Sequence, residues 1–254
     1  MNGIVASPTH SDSAHRAAQH DTEAATTTGA WVLVAEDNPV NMEVAFDMLG
    51  QLGYRVHVAT NGREAVSAAK RRQYAAILMD CHMSELDGHG ATAEIRAHEG
   101  STRHTPIIAA TANTQPQDRD DAMKAGMDDF IAKPFSLDSL GKVMRRWVPS
   151  GSPHAQEPGA ARASPRAVKL FFEHTPRALS ELRAAVACQD GRLLKAVAHR
   201  LLGSTTVVGA PAMAQMCREL EGLADMVEES PAQAAERVEQ LAAEYVRVQE
   251  VLGR

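Results

Sequence analysis

Five side chains in the first 133 positions are of the types that move phosphoryl groups: the adjacent pair Glu36 and Asp37, then Asp80, Thr111 and Lys133. A carboxylate can attack phosphorus, an ammonium can neutralise the charge on the transferred oxygens, and a hydroxyl can hydrogen-bond to them. Three carboxylates gathered in one crevice repel unless a cation sits among them. An all-oxygen Mg²⁺ site resolves that repulsion, with Mn²⁺ as a substitute. A second candidate lies far along the chain, where His199 is followed four residues later by Gly203. A neutral imidazole accepts a phosphoryl group as a nucleophile without a metal of its own. Glycine inside a helix costs about 1 kcal/mol relative to alanine. Gly203, on the same helical face as His199, therefore reads as clearance for an approaching protein.

The first group needs a sheet to bring it together. Apolar runs at Trp31–Ala35, Val56–Ala59, Ala75–Met79, Ile107–Ala110 and Phe130–Ala132 are strand-length, and the gaps between them accommodate helices. Such alternation predicts a parallel sheet with helices on both faces, its buried strands appearing as continuous apolar runs. The helical segments are Val40 to Leu52, stopped by Gly53, then Gly62 to Arg72, Gly88 to His98, Gln117 to Ala125 and Leu137 to Trp147. In open α/β sheets the ligand lies at the carboxyl ends of the strands. Glu36-Asp37, Asp80, Thr111 and Lys133 each fall at such an end. Asp80, ending the central strand, is the best-held nucleophile. Cys81 reads as a packing thiol, because neighbouring strand residues face opposite ways. His82 reads either as a solvated loop residue or as a side chain at the pocket mouth.

Beyond residue 165 the strand signal stops. Met213, Met216, Leu220, Leu223 and Val227 step by three and four, as do Val238, Leu241, Tyr245, Val248 and Leu252. Shorter stripes run through Leu179, Leu182 and Val186 and through Leu194, Val197 and Leu201. With a short leading helix near Val168 to Glu173, they predict an antiparallel four-helix bundle. The stripe Leu194, Val197, Leu201 leaves His199 off the buried seam and facing solvent. The fold class is thus α/β plus all-α, with a disordered tail over 1–29, an α/β domain over 30–148, a Pro/Gly/Ser-rich linker over 149–165 and the bundle over 166–254. His10, His15 and His20 in the tail have poor spacing for a metal site.

Composition narrows the function classes. The 254 residues carry 26 basic and 32 acidic side chains, a net charge of −6, which argues against a nucleic-acid binder. No apolar run reaches the 18 residues a membrane helix needs, and no secretory signal follows Met1. Cys81, Cys188 and Cys217 form no CxxC pair, which fits a reducing cytoplasm.

The blocks VLVAEDNPVN, AAILMDCHMSELDG, TPIIAATAN and GMDDFIAKPF resemble, in order, the receiver domain of two-component response regulators, across residues 31 to about 147. The resemblance implies a flavodoxin-like five-stranded sheet with Asp80 as phospho-acceptor. It implies Mg²⁺ on Asp37, Asp80 and the backbone carbonyl of His82, with Glu36 assisting through water. Thr111 and Phe130 would form the switch, Lys133 would bind phosphate, and Lys133-Pro134 would be cis. Ser84 departs from the proline common in that loop. The stretch Ala198-His199-Arg200-Leu201-Leu202-Gly203-Ser204 is similar to the histidine-phosphotransfer domain, covering about 165–254. There His199 would carry phosphoryl, with Arg200, Leu202 and Gly203 in the docking surface. Leu202 stands where that family usually has lysine, so a phosphate-holding charge is missing unless Arg200 or a partner supplies it.

Together these resemblances imply a phosphorelay protein with no ATP-binding kinase domain. An upstream hybrid sensor histidine kinase would load Asp80, and His199 would exchange phosphoryl with a receiver, including one downstream. Two alternatives are a phosphorylation-dependent binding switch in which His199 is dispensable, and the C-terminal part of a hybrid sensor kinase. Met1 and the polar tail favour a free-standing protein over the latter. An aspartyl phosphatase is disfavoured, since the acid such enzymes place two residues after the nucleophile is His82 here.

Overall fold

The computed structural model describes residues 29–111, 116–148 and 164–252. The tail up to residue 28, with His10, His15 and His20, and the linker over 149–163 lie outside the described residues. The first domain runs β1 (Trp31–Ala35), α1 (Pro39–Gln51), β2 (Arg55–Ala59), α2 (Gly62–Arg71), β3 (Ala76–Asp80), α3 (Gly88–Glu99), β4 (Ile107–Thr111), α4 (Pro116–Lys124), β5 (Asp129–Ala132) and α5 (Leu137–Trp147). All strand pairs are parallel, in the order β2-β1-β3-β4-β5. This is the flavodoxin-like sheet the sequence predicts, with strand limits shifted by no more than one residue.

Strand periodicity explains the two cores. Leu33, Ala35, Ile77, Met79, Ile107 and Ala109 turn to one face, where Ala65, Val66 and Ile95 from α2 and α3 cover them. Val32, Val34, Leu78, Ile108 and Ala110 turn to the other, under Leu49, Leu140 and Met144 from α1 and α5. With both faces covered, β3 and β4 are buried at every position. The sheet therefore sets the positions of its carboxyl-terminal residues, and Gly53, at φ +83°, ends the turn after α1 as expected.

The second domain contains α6 (Pro165–Ala187), α7 (Gly191–Val207), α8 (Pro211–Leu223), a single 3₁₀ turn (Ala224–Met226) and α9 (Pro231–Leu252). Helix α6 packs on α7 and α9, and α8 packs on the same two. Phe171, Leu182, Leu194, Val197, Met213, Cys217, Leu220 and Leu241 fill the space between them.

One sequence expectation is corrected here. The short leading helix near Val168 to Glu173 and the stripe from Leu179 are one 23-residue helix, α6, which runs through Pro176. Proline deprives the Phe172 carbonyl of its usual N–H partner. The Tyr245 hydroxyl from α9 supplies a replacement, donating to the Phe172 carbonyl at 3.0 Å. The break that proline predicts is thus repaired from another helix. Ser164 caps α6 and Pro165 is its first residue, at the end of the expected linker.

Two predictions follow from this packing. Tyr245→Phe leaves the Phe172 carbonyl without a donor and should lower stability by about 1–2 kcal/mol. In a Pro176→Ala background the restored N–H should cut that loss by at least half, a double-mutant cycle readable by denaturant unfolding. Among the thiols, Cys188 is exposed while Cys81 and Cys217 are buried, and burial pushes Cys217 up to about 12. A thiol-reactive dye should label one cysteine in the native protein and three after denaturation. Rapid native labelling of Cys217 would contradict the packing of α8.

Candidate functional site

At the carboxyl edge of the sheet, β1 delivers Glu36 and Asp37 and β3 delivers Asp80. One oxygen from each of the three carboxyl groups lies within 4.8 Å of the others. Lys133, just past β5, reaches across to Glu36 Oε2 at 2.5 Å and Asp80 Oδ2 at 2.9 Å. Backbone amides complete the cradle: His82 donates to Asp80 Oδ1 at 3.2 Å and Ser84 to Asp37 Oδ2 at 3.3 Å.

The electrostatics show what the cluster lacks. At about 4 Å a like-charge pair repels by about 4 kcal/mol in an effective dielectric of about 20. Burial, reinforced by Asp80, pushes the Glu36 carboxyl up to about 8 despite the opposing Lys133. Burial and Asp80 also raise Asp37, while Arg200 from the bundle pulls the other way. Burial works against the charge on Lys133, but Glu36 and Asp80 outweigh it and hold the ammonium above its ordinary range. Three carboxyl groups against one ammonium leave an all-oxygen donor set with surplus negative charge. That set fits a hard divalent cation.

Thr111 is buried at the end of β4, and its carbonyl accepts from the Lys133 amide at 2.7 Å. Phe130 is half-buried on β5, with the Arg119 guanidinium 4.5 Å from its ring centre. The Lys133-Pro134 bond is cis.

The second domain sits on this edge. His199 and the acid cluster line the same cavity, of about 180 Å³, together with His82, Arg200, Leu202 and Gly203. The His82 and His199 rings lie 4.8 Å apart between centres. Burial lowers the His82 pKa, and His199 lowers it further. The expectation of a solvent-facing His199 is therefore corrected. Its side chain is 28% exposed, because α8 covers one edge of the imidazole and the first domain another. The periodicity of a single helix carries no information about either neighbour.

Several residues at the site have no counterpart in the sequence reading. Glu221 Oε1 lies 2.7 Å from His199 Nδ1. A carboxylate only accepts, so this contact favours the proton on Nδ1, which in the neutral ring leaves the lone pair on Nε2. Arg218 lines the cavity, whereas the Arg200 guanidinium is bound to Glu181 at 2.6 Å. Asn38 caps α1, its Oδ1 accepting from the Val40 amide at 2.9 Å, while its Nδ2 donates to Arg200 O at 2.5 Å and Ser204 Oγ at 2.7 Å. Asn41 Nδ2 donates to Glu36 Oε1 at 3.1 Å. Both asparagines stand within the VLVAEDNPVN block. A cap signal was readable at Asn38, but its partners lie more than 160 positions away.

The chain is similar to known proteins over both of its domains. Residues 32–145 match the response regulator receiver domain, and residues 166–251 match the Hpt domain. Hybrid signal transduction histidine kinase G of Dictyostelium discoideum is 41% identical over 120 residues, which is 46% of this chain and 4% of that protein. Sensor protein GacS of Pseudomonas syringae pv. syringae is 28% identical over 219 residues, 76% of this chain and 24% of the relative. The chain spans less than a quarter of the length of these curated relatives. Among solved structures, a sensor histidine kinase receiver domain from Pseudomonas aeruginosa PAO1, described with a magnesium ion in its active site cleft, is 49% identical. It covers 48% of this chain and 100% of its own, with a TM-score of 0.45. The two matched segments together take in most of the chain, which belongs to the two-component signalling proteins as a response regulator receiver domain followed by a histidine-phosphotransfer domain.

Proposed function

We propose that the chain is a phosphorelay intermediate in which Asp80 accepts a phosphoryl group and His199 carries it onward. The observation that carries this reading is the opening of the acid cluster and His199 into one cavity. Glu36, Asp37, Asp80 and the His82 carbonyl would hold Mg²⁺, or Mn²⁺ in its place. The ion would neutralise the carboxylates and the phosphoryl oxygens. Lys133 balances charge on the same oxygens, and its grip on Asp80 keeps the nucleophilic carboxylate oriented. Thr111 and Phe130 are the residues that respond to the phosphorylated state.

At the bundle, Glu221 holds the proton on Nδ1 and leaves Nε2 as the nucleophile. Arg218 supplies positive charge to a cavity where Leu202 supplies none. The domains run over 30–148 and 166–254 in this reading. The donor to Asp80 is a phosphohistidine of a hybrid sensor histidine kinase, and the acceptor from His199 is the aspartate of a response-regulator receiver. No described helix is long and apolar enough to cross a membrane. Three free cysteines suit the reducing cytoplasm.

Incubation with labelled acetyl phosphate and Mg²⁺ should place acid-labile, base-stable label on wild type. Asp80→Asn should take up none, and His199→Gln should hold only base-labile acyl phosphate. Label that stops at Asp80 in wild type would instead favour a binding switch that does not use His199.

Glu221→Gln should slow phosphoryl arrival at His199 about tenfold, corresponding to about 1.4 kcal/mol of lost transition-state stabilisation. The ¹⁵N shifts of His199 should move toward a mixture of tautomers in the same variant. An unchanged tautomer would remove Glu221 from this positioning role.

A further inference from the structure

Resting on the relay reading, we propose that transfer from Asp80 to His199 takes place within a single chain, in the docked arrangement of its two domains. The surface that receives the bundle is α1 of the first domain, and it is built for this neighbour in four ways.

The first is shape. A Cβ added at Gly203 would meet Asn41 Nδ2 at 2.5 Å and Oδ1 at 3.2 Å, so the Asn41 amide lies in the space that the missing side chain leaves. The second is polar satisfaction. Asn38 is 3% exposed, with its oxygen committed to the α1 cap and its nitrogen to Arg200 and Ser204 across the junction. The third is apolar continuity, since Val40 of α1 is buried in the same cluster as Leu201, Val197 and Phe171 of the bundle. The fourth is charge. Glu43, itself buried, pairs with Arg166 at the start of α6 at 3.2 Å.

Asn41 also ties docking to chemistry. The amide that fills the Gly203 gap is the one that donates to Glu36 in the acid cluster. Docking therefore seats His199 on the acceptor's cavity through a residue of the acceptor site itself. The reaction balances within that cavity. The Nε2 lone pair of His199 forms the N–P bond as the bond from phosphorus to the Asp80 oxygen breaks, and its electron pair returns to the Asp80 carboxylate. The imidazole keeps its Nδ1 proton, now on a cationic ring whose charge the Glu221 carboxylate balances. Joining both sites in one chain gives an effective concentration on the order of millimolar, well above micromolar protein in solution.

The experiment uses full-length chains loaded with labelled acetyl phosphate and Mg²⁺, with label on His199 followed after rapid quenching. The first-order rate constant should stay constant over a hundredfold range of protein concentration. An equimolar mixture of Asp80→Asn and His199→Gln at 10 µM should transfer at least 100-fold more slowly than wild type. A rate constant that rises in proportion to concentration, or a mixture as fast as wild type, would overturn the single-chain route and leave the relay reading standing. Absence of label on His199 in both wild type and the mixture would overturn the relay reading and this proposal with it. Gly203→Leu tests the docked geometry directly, because a methyl group meets only the mobile end of Asn41 whereas a leucine side chain fills the gap itself, and leucine favours helix over glycine, so folding is not threatened. It should slow wild-type transfer at least tenfold, and an unchanged rate would show that transfer does not use this arrangement.

Discussion

Lys133 lies between Glu36 and Asp80, and the first domain is organised around keeping that ammonium and those carboxylates together out of bulk water. Three carboxyl groups so close would drive themselves apart on flexible loops. Here each ends or directly follows a strand that is hydrogen-bonded to its neighbour in register, so the sheet opposes the repulsion. The aliphatic runs in β1, β3 and β4 serve this purpose as much as they serve stability. Burial on both faces packs the strands firmly, and the carboxyl groups at their ends stay close enough to favour a cation.

The same edge accommodates the second domain. Immediately after the acidic pair, the chain turns into α1 through Asn38, whose side chain caps its own helix and binds two groups of the bundle. One turn later Asn41 reaches back to Glu36 and fills the gap above Gly203. A ten-residue block therefore holds the acid pair, the cap that starts the next helix and the Asn38 contacts across the junction. Substitutions there should be poorly separable in effect. A change meant for docking alters the hydrogen bonding of Glu36, and a change in the acid cluster alters the seat of His199.

Much of this was legible in the residues. The five apolar runs located the strands, and the rule that ligands gather at carboxyl ends brought Glu36, Asp37, Asp80, Thr111 and Lys133 into relation before any coordinates. In the structure Thr111 and Phe130 are not among the residues that line the cavity, a distinction that spacing does not encode. Heptad-like steps found the bundle, and the glycine four residues after His199 pointed to close approach. What stayed hidden depended on neighbours distant in sequence. Glu221 meets His199 from the following helix, Arg218 joins it there, and Asn38 finds Arg200 and Ser204 across the domain junction. Periodicity reports which face of a helix is apolar and is silent on which helix lies opposite. For the same reason His199 read as exposed, and α6 read as two pieces.

In the uninterrupted α6, Pro176 leaves the Phe172 carbonyl without a donor from its own helix, and the hydroxyl that replaces it comes from α9. A helix that looks like a local property of 23 residues is therefore fully bonded only when the last helix of the bundle is docked against it. Formation of α6 and closure of the bundle are in this respect one event, and fraying of α9 is felt at the middle of α6.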